Sequence, residues 1–221
     1  ARLRDVGSVA YYYRPVLPEV MKDRSHFGLC EPDHVYICPQ TLFKFHPQFD
    51  TLLARILRCD PAATLVLLEA TNAHWGELLR ARFNITMPDV AARIRFLPQQ
   101  HGVDFINLLA VSDVMLDTIH FCGFNTSFEG FAAGTPVVTL VGDFMRGRHT
   151  LSLYRKMGFM DCVARDPDEY VDIALRLGTD PAYRAQISRR IAEARDVLWE
   201  EKQVVEEFER FFEGAVAQCN T

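Results

Sequence analysis

Short apolar runs alternate along most of the chain with longer stretches in which apolar residues recur three and four positions apart. The runs predict strands over 35–38, 64–68, 94–97, 113–116 and 136–140, with a short sixth near 162–163. Between them, Phe49-x-x-Leu52-Leu53-x-x-Ile56-Leu57 and Phe105-x-x-Leu108-Leu109 each place an apolar stripe on one helical face. Strands that are mostly apolar rather than alternating, separated by amphipathic helices, describe βα units around a parallel sheet covered on both faces. The expected fold class is therefore α/β: a Rossmann-like, doubly wound parallel sheet of about six strands.

Beyond residue 165 the strand pattern stops. Tyr170-x-x-Ile173-Ala174-x-x-Leu177, then 183–195, then Val204-x-x-x-Phe208-x-x-Phe211-Phe212 predict successive helices, with Gly178-Thr179-Asp180-Pro181 supplying a stop, a cap and an N1 proline. The organisation read from this is an irregular lead over 1–33, a Rossmann-like domain over 34–165 and a helical tail over 166–221 packed on it. The aromatic last helix also suits docking on a partner domain.

Composition narrows the function. Of 221 residues 49% are hydrophobic and 24% charged, the profile of a chain that buries a core. No apolar run approaches the roughly 20 residues of a membrane span, and Ala1 to Gly7 carries Arg2 and Arg4 with no apolar stretch behind them. Neither a signal peptide nor an anchor is expected, and the chain reads as cytoplasmic. A net charge of −5 disfavours a nucleic-acid partner held through phosphates. The six cysteines are scattered and form no C-x-x-C pair, so neither zinc nor a disulfide framework is expected.

In a doubly wound sheet ligands bind beyond the carboxyl ends of the strands where the order reverses, between the first and fourth strands. The segments there are Cys38 to Pro47 and Asp117 to Glu129, the most polar and least periodic of the chain. In the second, Gly123 frees the backbone, Asn125, Thr126 or Ser127 can cap a helix beginning near Phe128, and the helix start offers amides and a positive dipole end to a phosphate. Glu129, one turn in, is placed to accept from ribose hydroxyls, and Lys44 supplies a cation from the opposite strand. Together they describe a nucleoside diphosphate site. The same residues also suit an ordinary N-cap, a first-turn carboxylate and a surface lysine. No G-x-G-x-x-G and no P-loop motif is present. His46 and His120 are acid/base candidates, although His46 before Pro47 equally suits a cap, and Arg146 and Arg148 follow the fifth strand where they can hold an acceptor or the diphosphate.

The stretches CPQTLFKFHP (38–47) and AVSDVMLDTIHFCGFNTSFEGFAAGTPVVTLVGDFMRG (110–147), with Arg148 after them, resemble the carboxyl-terminal catalytic half of the O-linked N-acetylglucosamine transferase family, most of all its bacterial SPINDLY-like members. The resemblance runs from about Tyr36 to Gly158 and more loosely to Asp180. It implies the C-terminal half of a two-domain, GT-B type glycosyltransferase that holds a UDP-sugar. Lys44 is then the residue on the diphosphate that stabilises the leaving group, and Gln40 and Thr41 line its loop. Gly123, Asn125, Thr126 and Ser127 wrap phosphates and sugar, Glu129 meets the ribose, and the loop Pro98-Gln99-Gln100-His101 grips the base. Where the animal enzymes carry a Lys and a His after that loop, this chain has Gly102 and Phe105.

The implied reaction is inverting transfer of N-acetylglucosamine or another hexose from UDP to a protein side chain. No metal and no cofactor is expected, since the implied chemistry stabilises the departing UDP with Lys44 and the helix start rather than with a metal ion. The implied partners are the UDP-sugar, a protein or peptide acceptor, an N-terminal catalytic half and tetratricopeptide repeats, with the 221-residue chain expected to be inactive alone. A GDP- or ADP-sugar transferase and a non-catalytic binding module stay open beside this reading.

Overall fold

The structure, a computed structural model, describes residues 10–219; the charged stretch at Ala1 to Gly7 and the side chain of Cys219 lie outside the described residues. Six parallel strands, β1 (His34–Cys38), β2 (Ala63–Leu68), β3 (Ile94–Leu97), β4 (Val114–Leu116), β5 (Val137–Leu140) and β6 (Val163–Ala164), form one sheet in the order β3-β2-β1-β4-β5-β6. β1 pairs with β2 through Tyr36 and Leu65 and with β4 through Tyr36 and Val114. The order reverses at β1 and β4, as the pattern predicts. Val35, Tyr36, Ile37 and Cys38 are all fully buried, which is why these runs do not alternate.

α1 (Pro47–Cys59) packs beside α2 (Ala73–Thr86), and α3 (Val103–Ala110) beside α4 (Asn125–Ala133), the pairing that the right-handed crossover rule gives for this strand order, one pair on each face of the sheet. α1 starts on His46, whose ring accepts from the Gln48 amide, and Pro47 at the first helical position. It buries Phe49, Leu52, Leu53, Ile56 and Leu57, the stripe seen in the sequence. α5 (His149–Met157) follows β5, and α6 (Pro167–Thr179) returns over the sheet beside α1, with Asp166 as its cap. Gly178 lets α6 lie on Tyr36, because a Cβ there would overlap the tyrosine hydroxyl.

α7 (Pro181–Ala194) and α8 (Lys202–Cys219) complete the tail. Trp199, between them, is buried against Phe128, whereas Phe212 of α8 is exposed. The lead runs behind α4: Tyr12 stacks on Phe128 at 4.3 Å and its carbonyl accepts from the Glu200 amide. At the amino end of the sheet, buried Asp113 accepts from Arg24 (2.7 Å), from the Val35 amide (2.7 Å) and pairs with Arg184 (3.0 Å). Lead, sheet and tail meet on that one carboxylate. Cys30, Cys38, Cys59, Cys122 and Cys162 are free thiols.

Candidate functional site

The loop after β1 is pinned by Leu42, which opens a 3-10 turn (Leu42–Lys44), and by Phe45 just after it, both buried. Alternate residues therefore face out, and Lys44 is carried beneath the carboxyl end of β4. Its ammonium donates to Gln40 Oε1 (2.9 Å) and to the Cys122 carbonyl (3.1 Å), and sits 4.5 Å from the centre of the Phe121 ring. Burial pushes Lys44 below its ordinary range, against the pull of Asp117. Gln40 passes the chain on, its Nε2 donating to Thr126 Oγ1 at 2.6 Å.

The loop after β4 turns on Asp117, which is fully buried. Its Oδ1 accepts from the Gly123 amide (2.5 Å), and its Oδ2 from the hydroxyls of Thr139 (2.9 Å) and Thr150 (2.6 Å). Gly123 is required by close approach: a Cβ would stand 2.6 Å from Gln40 Nε2 and 2.7 Å from Ser127 Oγ and Thr126 Oγ1. His120 adopts a left-handed backbone (φ 67°) inside this loop, and its Nε2 meets Gln48 Oε1 at 2.7 Å. His46, the other acid/base candidate, is the cap of α1 and lies edge-on to His120 at 4.7 Å between centroids.

One expectation is corrected here. None of Asn125, Thr126 and Ser127 caps α4, because the helix begins at Asn125 itself and the cap position belongs to Phe124, which provides no side-chain acceptor. The Gly123 turn brings the chain into helical geometry earlier than the polar triplet suggests. The first turn of α4 thus faces the site without a side-chain cap, which strengthens it as an anion-binding end.

A cleft of about 390 Å³ opens beside this end, within the range of small-molecule sites. Of the residues singled out in the sequence, Gln40, Thr41, Gln100, His101, Thr126 and Glu129 line it. Lys44 and Gly123 adjoin it through Gln40, while Asn125 is exposed at the helix start. Ser127 is fully buried, its hydroxyl 2.8 Å from that of Thr150, so it supports the loop from behind. Arg148 is exposed on the turn before α5, and Arg146 lies over the Phe144 ring. Neither lines the cleft. Glu129 is half-buried, and burial lifts its carboxyl to about 7.

The sequence reading passed over Asp117 as a ligand of the loop, and over Glu69, Thr71 and Trp75, which complete the cleft from the carboxyl end of β2 and from α2. An acidic residue closing a wholly apolar strand was the available signal for Asp117. Glu69 is engaged by Arg80. Phe105, beside Gly102, lines the cleft opposite Glu129's helix. Among the described residues no three His, Cys, Asp or Glu side chains are grouped to hold a metal ion, and no helix is long and apolar enough to cross a membrane.

The family model of Glycosyl transferase family 41 matches residues 16–207. The probable UDP-N-acetylglucosamine–peptide N-acetylglucosaminyltransferase SPINDLY of Hordeum vulgare is 29% identical over 156 residues, which are 69% of this chain and 16% of that protein. The UDP-N-acetylglucosamine–peptide N-acetylglucosaminyltransferase of Caenorhabditis elegans is 27% identical over 192 residues, 86% of this chain and 16% of that one. Among solved structures, a variant of the O-GlcNAc transferase of Thermobaculum terrenum superposes with a TM-score of 0.72 at 30% identity, over 88% of this chain and 38% of that one. The chain thus spans well under half the length of each relative.

Proposed function

Because the chain belongs to glycosyl transferase family 41, we propose that its cleft holds a UDP-sugar and that the protein transfers N-acetylglucosamine, or a closely similar hexose, to a hydroxyl of a protein or peptide acceptor. One observation carries the reading. A half-buried ammonium, Lys44, and the uncapped start of α4 converge at the switch point of the sheet, one helical turn from a carboxylate that faces the same cleft.

In this reading the diphosphate lies across the first turn of α4, taking the amide groups that no side chain caps, with Lys44 on its leaving oxygen. As the acceptor hydroxyl's oxygen bonds to the anomeric carbon, the bond to the diphosphate breaks with its electron pair staying on UDP, and the hydroxyl proton passes to the departing diphosphate or to solvent. Lys44 and the helix start stabilise that growing charge from positions fixed beforehand by Gln40 and Thr126. Glu129 receives ribose hydroxyls, and the loop of Gln100 and His101 meets the base. Arg148, being exposed, is assigned to the acceptor side.

Calorimetry with UDP, GDP and ADP tests the donor class: UDP is expected to bind tightest, and a preference for another base redirects the assignment. In an enzyme that turns over, Lys44→Ala is expected to lower kcat by on the order of a hundredfold or more with a much smaller change in KM. Unaltered kcat in a folded variant removes Lys44 from the chemistry.

A further inference from the structure

Among the described residues no carboxylate contacts the Lys44 ammonium. Two of its three N–H groups go to neutral oxygens, Gln40 Oε1 and the Cys122 carbonyl, and a phenyl ring covers part of the rest. The Cys122 carbonyl belongs to the same peptide unit as the Gly123 amide, and that amide donates to Asp117 Oδ1 at 2.5 Å. One peptide group therefore has an ammonium on its oxygen and a carboxylate on its N–H. Each charge orients and polarises the unit in the sense that favours the other.

We propose that Asp117 is the positioning residue for Lys44, acting through the Cys122–Gly123 peptide to keep the ammonium charged and aimed at the cleft before a ligand arrives. The proposal rests on Lys44 being the phosphate ligand, but its physical content, a half-buried ammonium linked to a buried carboxylate, stands or falls separately. The other titratable groups near the pair supply no competing charge. Burial raises the Cys38 thiol and lifts Cys122 to about 11, so both are neutral at physiological pH. His149 on α5 is pushed down, toward its neutral form, by burial and by Lys44 itself. Tyr154 and Tyr170 are raised by burial, the latter donating to the Asp117 carbonyl. Asp117 is raised by burial and held against it by Thr150, Gly123, Thr139 and Lys44, while Lys44 is lowered by burial and held against it chiefly by Asp117. Burial works against both charges, and each is the other's main charged support.

The chain has four lysines, so the side-chain nitrogen of Lys44 is readily resolved by NMR. In Asp117→Asn its titration midpoint is expected to move down, while in Thr150→Val, which removes a hydrogen bond to the same carboxylate but not the charge, it stays. A midpoint unmoved in Asp117→Asn, or moved equally in both, overturns the proposal. If Asp117→Asn does not fold, Lys44→Met is read at the Asp117 carboxyl carbon, whose midpoint must then rise. UDP titrations separate positioning from mere support of the fold. Asp117→Asn should bind UDP at least as well as the parent at low pH, where the ammonium stays charged, and lose about tenfold for each pH unit above the lowered midpoint. Uniform weakening at every pH marks Asp117 as structural only and overturns the proposal. Should the parent chain not bind UDP at all, the nucleotide reading fails while the lysine titration still decides the coupling.

Discussion

Glu129 shows what burial does to a single side chain. Its carboxyl is lifted from the ordinary 4.5 to about 7 by desolvation alone. A folded-state value above the unfolded one means that its contribution to stability is full below about 4.5 and is lost as pH rises to about 7. Glu129→Gln, which stays neutral, should therefore melt above the parent at pH 8 and converge with it near pH 4.5; parallel curves would show that the group does not titrate in this window. Ribose hydroxyls donating to the carboxylate favour its ionised form, so uridine affinity should rise over the same range. Glu129→Ala should weaken UDP more than pyrophosphate, by roughly 0.5–1.5 kcal/mol per lost hydrogen bond. Equal losses would reassign the residue to the fold. Lys44, Thr126 and Glu129 stand out in the sequence because polar residues cluster where the strand order reverses, and Gln40 through the family resemblance. Asp117 does not, because its role depends on hydroxyls that arrive from β5 and α5, with Thr150 thirty-three residues further along the chain.

Among the elements, legibility followed the strength of the one-sided pattern. α1 and α6 announced themselves through complete apolar stripes and Pro-led starts. α2 buries only Gly76, Leu79 and Phe83, too sparse a stripe to mark a helix in the sequence. The N-terminus of α4 was placed late for a related reason: local polarity suggested a side-chain cap, whereas the backbone turn at Gly123 and the packing of Phe124 on Phe128 decide where the helix begins. The α6 contact on β1 makes a prediction at this scale. Tyr36 is fully buried and its hydroxyl donates to Asp60, so it cannot give way to a methyl group at Gly178. Gly178→Ala should cost about 1–3 kcal/mol, a loss in Tm of about 2–4 °C per kcal/mol for a chain of this size. Wild-type melting would mean that α6 sits further from the sheet.

For the whole molecule, the chain spans 38% of the Thermobaculum terrenum structure that it matches, and its cleft is built on one end of one sheet. The 221-residue chain is expected to bind UDP without transferring sugar to a peptide. Robust transfer by it alone, measured with a labelled donor, would show that its own residues suffice. The two ends of the sheet carry different duties. The carboxyl end holds the desolvated lysine, the uncapped helix start and the lifted carboxyl, each kept at some cost to folding. The amino end is closed by Asp113 between two arginines and the Val35 amide, joining lead, sheet and tail. This separation is a resource for variation: compensating changes can accumulate around the Asp113 junction while the loops at the other end drift toward new donors, so specificity can diversify without exhausting the margin that keeps the chain folded.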